Sequence, residues 1–366
     1  VLKTFKYRLY PTSSQETALK ETLEECRWLY NHFLEERKTT YEETGRCPGL
    51  HVQQAALPAL KQTRPSLRNV HSQVLQNVAV RVTLAFEAFF RRVQAGEEPG
   101  YPRFRGRGRY DSFCYPQFGF KVKGQQVVLS KVGAIKAVVH RPIQGTMKTC
   151  CIRRTSTGKW YVTFSCEVEP LALQPSDSAV GMDVGLASFA TLSNGEKIAN
   201  PRFLRKDETR LKRAQRRREK APRGSALRRK RRRIEAHVHE RIANRRAAFA
   251  HKQAHDIVTA HGTICFEDLS VKDMVRNHRL AKSISDAAWR QFLAFLMYKA
   301  AYAGRQVVQV NPAYTSQDCS RCGHRQKMAL SERVYHCPCC GLELDRDLNA
   351  ALNILRLGLE SLAHVA

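Results

Sequence analysis

Three acidic residues of this 366-residue chain stand in contexts that suit them to chemistry. Asp183 closes the apolar run Ala179-Val-Gly-Met-Asp183, and Gly185 after it lets the backbone turn. Glu267 closes a second short apolar run, Thr263-Ile-Cys-Phe-Glu267, directly after the helix stop at Gly262. Asp347 lies in Leu344-Asp-Arg-Asp-Leu-Asn-Ala-Ala-Leu-Asn353, where a final helix begins. Carboxylates brought together from separate elements can hold two divalent ions about 4 Å apart, activating water and stabilising the leaving oxygen of a phosphodiester. Taken singly, each reads more readily as a solvated surface or capping carboxylate than as a catalytic one, and either Asp347 or Asp345 could merely cap the final helix. As an ordered set, Asp183, Glu267 and Asp347 are the candidate catalytic residues and magnesium ligands.

Five of the 12 cysteines crowd into residues 319–340. Cys319-Ser-Arg-Cys322 and Cys337-Pro-Cys-Cys340 are paired knuckles separated by 14 residues, each followed by glycine. Four thiolates so arranged make a tetrahedral zinc ribbon, and closed four-thiolate sites are structural. Cys339 could replace Cys337 or Cys340 only by distorting the turn. The other seven (Cys26, Cys47, Cys114, Cys150, Cys151, Cys166, Cys265) are scattered through apolar or mixed segments and read as buried thiols in a reducing compartment. His237-Val-His239 resembles a metal-binding pair on a strand, but on a helix two residues apart point about 200° from each other and cannot share an ion.

The elements that must position these groups are embedded in a strongly basic chain. Sixty-two Lys and Arg oppose 33 Asp and Glu, a net charge of +29. Nucleic acid is the natural counter-polyanion, because counterion release makes phosphate contacts a main source of affinity. No apolar run approaches a membrane span and no signal peptide opens the sequence, so a cytoplasmic, nucleoid-associated protein without a membrane partner is expected. Residues 202–246 hold 20 Lys or Arg against 5 Asp or Glu. Pro222, Gly224 and Ser225 split this stretch into two helices. In the second, Leu227, Ile234, Val238, Ile242, Phe249 and Ile257 form an apolar stripe, so a folded helix displaying arginines is expected rather than a solvated tail. Arg213, Arg216, Arg217, Arg229 and Arg232 are its candidate nucleic-acid contacts.

Upstream, Lys3–Tyr10 alternates as a strand, and Thr12-Ser13-Ser14 caps a helix carrying Leu19, Leu23, Cys26, Tyr30 and Phe33 on one face. A second amphipathic helix runs from about Ser72 to Val93. Gly100-Tyr-Pro-Arg-Phe-Arg-Gly-Arg-Gly-Arg-Tyr110 interleaves basic and aromatic residues, and Phe113, Tyr115, Phe118 and Phe120 continue the series. Such a stretch stacks bases and pairs phosphates, or is a basic linker with aromatics tucked into a core. Tyr101, Arg103, Phe104 and Arg105 are candidates on the first reading. Lys148–Arg154 and Lys159–Glu167 flank a hairpin turn, Pro175–Ser178 is a polar linker, and Asn194-Gly195 turns a further hairpin. Two strand ends and a helix start are how a ribonuclease-H-like sheet supplies its carboxylates. Actin-like and sugar-kinase ATPases also open with Gly-x-Asp-x-Gly, but they need later glycine-rich phosphate loops, which do not follow residue 262.

The assembled motifs resemble the TnpB family, transposon-encoded RNA-guided DNA endonucleases related to type V CRISPR effectors. The resemblance rests on Tyr7-Arg-Leu-Tyr-Pro11, Trp28-Leu-Tyr-Asn-His-Phe33, Gly100-Tyr-Pro-Arg-Phe104, Gly181-Met-Asp-Val-Gly185 and Phe266-Glu-Asp-Leu269. It continues through Ser283-Ile-Ser-Asp-Ala-Ala-Trp289, Pro312-Ala-Tyr-Thr-Ser-Gln-Asp-Cys319 and Asp345-Arg-Asp-Leu-Asn-Ala-Ala-Leu-Asn-Ile354. It implies a mixed α/β and β multidomain chain: a WED-like β-barrel split between 1–10 and 105–178, a helical REC domain at 11–104, and an RNase H-like (RuvC) nuclease domain at 179–366 with a zinc-ribbon insert at 312–343. It implies Asp183, Glu267 and Asp347 as the RuvC triad with Mg²⁺, structural Zn²⁺, a guide RNA (ωRNA) bound by one chain, and double-stranded target DNA. It also places Gln54, Gln76, Tyr115 and Gln117 roughly where the family reads a short target-adjacent motif. A nuclease-silent RNA-guided regulator and a DNA-strand transferase are the alternative functions.

Overall fold

The computed structural model describes residues 1–329 and 332–364. The chain divides into two compact units, Leu2–Val168 and the part from Glu169 onward. The polar segment after Val168 goes with the second unit, since Leu173 N donates to Ala303 O at 3.0 Å and Arg305 Nη1 donates to Gln174 O at 2.8 Å.

In the first unit, strand β1 (Leu2–Tyr10) buries Phe5, Tyr7 and Leu9 on one face, as its alternation requires. Helix α1 (Ser13–Thr44) starts at a capping box in which Thr12 and Gln15 satisfy each other's backbone N–H groups. Its buried stripe includes Leu19, Cys26, Tyr30 and Phe33. Short helices α2 (Leu50–Ala55) and α3 (Leu57–Thr63) lead to α4 (Ser72–Gln94), whose Val74, Val78 and Val82 are buried in turn. Strands β2 (Ser112–Tyr115), β3 (Phe120–Lys123), β4 (Gln126–Leu129), β5 (Gly133–Val138), β6 (Thr146–Arg154) and β7 (Trp160–Glu167) then join β1. They form a seven-stranded antiparallel sheet of order β2-β6-β7-β1-β5-β4-β3. Its edges curl together into a nearly closed barrel: the rings of Tyr115 on β2 and Phe120 on β3 lie 6.4 Å apart.

Two expectations fail in this unit. Cys114 and Cys151 are not free thiols but a disulfide, because the β2–β6 register sets them directly opposite each other; Cys47 is exposed rather than buried. Of the two readings of the aromatic series, Phe113 and Tyr115 follow the core one: both point into the barrel with 1% exposure, and Tyr115 Oη donates to Ser130 O at 3.0 Å, away from the surface where the resemblance put a motif-reading residue. Tyr115 is therefore a core residue, because the strand's period of two sends it inward with Phe113.

The second unit opens with β8 (Ala179–Asp183), β9 (Ser188–Leu192) and β10 (Lys197–Ala199), followed by α5 (Phe203–Glu219) and α6 (Ala226–Ala260). Then come β11 (Thr263–Glu267), α7 (Val271–Met274), α8 (Ala281–Ala287), α9 (Trp289–Tyr302) and β12 (Gln306–Val310). A small hairpin, β13 (Val334–His336) and β14 (Glu343–Asp345), precedes α10 (Arg346–Ala363). The main sheet has the order β10-β9-β8-β11-β12, with β8, β11 and β12 parallel and β9 and β10 antiparallel. This is the mixed sheet of the ribonuclease-H-like fold. Val180, Met182, Ile264 and Phe266 face the core built with α6 and α9, while Cys265, Val308 and Val310 pack on Ile354 of α10. The apolar stripe of α6 is buried at Val238, Ile242 and Ile257 but exposed at Leu227 and Ile234. The early turns of α6 face Arg210, Arg213 and Arg217 of α5, which offer little apolar surface to cover them. Among the described residues no helix is long and apolar enough to cross a membrane.

Candidate functional site

Strands β8 and β11 run in parallel with Met182 opposite Phe266, so the next residues, Asp183 and Glu267, leave the sheet side by side. Helix α10 crosses the other face at very close range. A Cβ on Gly181 would lie 2.1 Å from Ala351 O and 2.6 Å from Leu355 N, so only glycine admits the helix there. Asp345 caps α10 by accepting from the backbone N–H groups of Asp347 and Leu348 at 3.0 and 3.1 Å, and is held by Lys197 Nζ at 2.6 Å. Capping by Asp345 leaves Asp347 in the first turn, its Oδ2 only 4.0 Å from where a Gly185 Cβ would be.

Asp183 is buried and feels the charge of both other carboxylates. Burial, together with the charges of Glu267 and Asp347, pushes the Asp183 carboxyl up to about 8, and nearby Arg346 does not cancel the effect. Burial also raises Glu267, against the Thr315 hydroxyl that donates to its Oε1 at 2.5 Å. Partly buried carboxylates that repel one another are a donor set that suits a hard divalent cation. Between the ordinary aspartate value of 3.8 and about 8, the folded protein holds a proton on Asp183 that the unfolded chain lacks. In magnesium-free buffer, stability is therefore expected to fall as pH rises through that window. Adding a divalent cation should restore it most at the alkaline end, where the cation has no proton to displace. Thermal melts across the window check this; a stability that climbs with pH in the absence of magnesium contradicts it.

The cysteine cluster is equally definite. The Sγ atoms of Cys319, Cys322, Cys337 and Cys340 all lie within 4.8 Å of one another, with Cys319–Cys340 and Cys322–Cys337 each at 3.6 Å. Sulfurs about 2.3 Å from a tetrahedral zinc lie about 3.8 Å apart, so the cluster could hold that ion. Gly323 and Gly341 take φ of 76° and 69°, which lets their N–H groups return to the carbonyls of Cys319 and Cys337. Burial alone would raise the Cys337 thiol, but N–H groups of Cys340 and Cys339 draw it down to about 6. Cys339 itself is exposed and outside the cluster.

These features have counterparts in known proteins. Residues 163–278 match the family model described as "Probable transposase", residues 289–354 match that of the Cas12f1-like TNB domain, and residues 1–46 match that of a helix-turn-helix domain. In the last span the structure has a strand and one long helix. A Streptomyces pristinaespiralis protein named as an RNA-guided DNA endonuclease is 36% identical over 99% of this chain and 91% of its own length. The chain belongs to the TnpB family of RNA-guided DNA endonucleases. A second relative, the Escherichia coli K12 RNA-guided DNA endonuclease InsQ, is 32% identical over 98% of the chain and 92% of its own length. In fold, this TnpB resembles the Cas12f1 protein solved with sgRNA and target DNA, at a TM-score of 0.60 and 14% identity, covering 97% of this chain and 98% of that one.

The remaining candidate residues of this TnpB fall into two groups. Arg213, Arg216, Arg217, Arg229 and Arg232 are all exposed on α5 and α6. Arg103, Phe104, Gln76 and Gln117 are exposed, and Gln54 Nε2 donates to Gln76 O at 3.4 Å. Tyr101 packs edge-on against Phe86 and Phe89 at about 5.6 and 5.5 Å, and Arg105 is clamped through its backbone by Asn31 and Arg27. Both are braced by their neighbours while keeping exposed surface. His237 and His239 lie on helix α6 and pair with different glutamates, Glu240 and Glu235.

Reading by residue type missed the groups that tie the ribbon to the carboxylates. Asn349 Nδ2 donates to Asp318 O at 2.8 Å, its Oδ1 accepts from Ser320 N at 2.9 Å, and Asn353 Nδ2 donates to Thr315 O and Asp318 O at 2.9 and 2.7 Å. Thr315, which orients Glu267, thus hangs from α10. All three residues lay inside quoted motifs, but their types alone carried no chemical signal. Cys322→Ser, which takes one sulfur from the cluster, should raise hydrogen exchange around residues 319–323 and 337–341 and cut cleavage at least about tenfold, since it frees this bracing. Hydrogen exchange over those turns and single-turnover cleavage check it; unchanged exchange would deny the cluster a structural role.

Proposed function

We propose that this TnpB cuts DNA selected by base pairing with a bound guide RNA, using Asp183, Glu267 and Asp347 as the ligands of magnesium. The observation that carries the reading is the backbone geometry that sends these carboxylates to one place: Asp183 and Glu267 end adjacent parallel strands β8 and β11, and α10 packs on Gly181 with Asp347 Oδ2 4.0 Å from the Gly185 Cβ position. Magnesium bound there supplies Lewis acidity to the attacking water and to the leaving oxygen. The chain's own residues hold the frame. Asp345 fixes the start of α10, Thr315 fixes the Glu267 rotamer, and Gly181 lets the helix approach. The exposed arginines of α5 and α6 hold phosphate backbone by charge and geometry, while guide pairing supplies sequence choice. Gln54, Gln76 and Gln117 read the target-adjacent motif, and zinc in the four-cysteine cluster braces the ribbon. The residues from β1, α1–α4 and the barrel serve as the WED-like and REC parts, and one chain serves each guide RNA. Purified protein with its copurified RNA, a matched duplex and Mg²⁺ tests the reading. Cutting that depends on both RNA and magnesium is expected, and intact duplex under those conditions would refute it.

A further inference from the structure

The motif Ser283–Trp289 has no role in the mechanism above, yet its Asp286 is a carboxylate with 7% exposure. Both of its oxygens accept from Leu204 N, at 2.9 and 3.0 Å, and Oδ1 also takes Arg246 Nε and Nη2 at 3.1 and 2.7 Å. Asp286 thereby pins the start of α5. Asn200 pins it from the other side: its Nδ2 donates to Leu186 O at 3.0 Å and its Oδ1 accepts from Arg202 N at 3.2 Å. Arg202 is left at φ 48°, ψ 52°, a backbone region disfavoured for any residue with a Cβ.

Between these parts lies a cavity of about 330 Å³, lined by Leu186, Asn200, Arg202, Arg205, Lys282 and Asp286. Ligand pockets start at about 300 Å³, so the space suits one small unit such as a nucleotide. Its charge is positive and partly unspent. Asp286 is answered by Arg246, and Lys282 Nζ is already bonded to Glu208 at 2.6 Å. Arg202 and Arg205 are exposed, and among the described residues neither guanidinium is in an ion pair. The cavity also adjoins the carboxylates. Leu186 follows Gly185, whose Cβ position is 4.0 Å from Asp347 Oδ2, and successive Cα atoms are about 3.8 Å apart.

We propose that this cavity binds the DNA strand being cut, seating a nucleotide about one or two positions from the scissile bond, with Arg202 and Arg205 on its phosphate. The assignment rests on the nuclease reading above. DNA is the occupant rather than guide RNA because the lining residue Leu186 follows Gly185, which approaches Asp347, and the nuclease reading brings the strand under attack to that carboxylate. Asp286 and Asn200 are positioning residues that hold the two arginines against the loop leaving β8.

A double-mutant cycle tests it, using guide-loaded protein and target duplexes carrying a single neutral methylphosphonate at each position flanking the cut. In the wild type, one flanking methylphosphonate should slow single-turnover cleavage roughly tenfold to hundredfold, the loss expected for a charge-assisted phosphate contact. R202Q/R205Q should slow cleavage of the unmodified duplex by a similar factor and show no further penalty at that position, with guide-RNA retention unchanged. A penalty of undiminished size in the variant, or a variant as fast as wild type, overturns the proposal. So does a variant whose defect is confined to guide-RNA retention, which would assign the cavity to RNA. Wild-type protein that cuts no duplex would instead defeat the nuclease reading itself.

Discussion

Asp183→Ala is expected to lower DNA cleavage by on the order of 10⁴-fold, the scale on which metal-ion and triad catalysis is lost when a principal group is removed. Guide-dependent target binding should stay near the wild-type level, because the arginines of α5 and α6 are untouched. The same substitution has a second, opposite expected effect. Asp183 is the carboxyl that burial and its two acidic neighbours destabilise most, reaching about 8. Removing it spares the folded state the cost of taking up and holding that proton, so in magnesium-free buffer at neutral pH the variant should melt at a higher temperature than the wild type. Activity lost together with stability gained marks a site selected for chemistry rather than folding. A variant that cleaves normally would remove Asp183 from the catalytic set, and one that melts lower would deny the crowding of negative charge.

Gly181→Ala is the second large effect, and it acts without touching a charged group. The added Cβ would meet the backbone of α10 at 2.1 Å from Ala351 O, with no flexible side chain to give way. Either the helix moves or the strand does, at an expected cost of about 3 kcal/mol or more. Because α10 carries Asp347, a displacement of about 1 Å is also expected to cost about 10²-fold in cleavage. Gly100→Ala, with nothing within 4 Å, is the matched control and should change neither quantity. Denaturant titration and single-turnover cleavage measure the two losses; a Gly181→Ala protein of wild-type stability would mean that α10 packs more loosely than described.

Much of this was legible in the residues because it depends on short-range patterns. The runs 179–183 and 263–267 are apolar, end in an acid and follow turn signals, so both strands and the exits of Asp183 and Glu267 could be read directly. The two knuckles declare a four-sulfur cluster able to hold a metal, because paired Cys-x-x-Cys turns at this spacing bring their thiols together. What was not legible depends on register or on distant partners. Whether Tyr115 faces the barrel or the solvent is decided by the pairing of β2 with β6, and the glycine- and arginine-rich stretch before it gives no phase. The same register, across a separation of 37 residues, decides that Cys114 meets Cys151. Leu227 and Ile234 kept the helical period of α6 yet stay exposed, since periodicity says which face is apolar and not whether anything covers it. Thr315, Asn349 and Asn353 act by bracing, through hydrogen bonds that join segments over 30 residues apart.

The sheet pairs β8 with β11, and α10 then closes over a strand made more than 150 residues earlier. A ribosome building this chain therefore releases the first unit, the basic helical pair and two of the three acids before the last acid exists. Until residue 347 and the turns behind it emerge and dock on Gly181, the nascent protein can bind polyanions but has no blade. Emergence of α10 is in this sense the safety catch, set by the order of the fold itself.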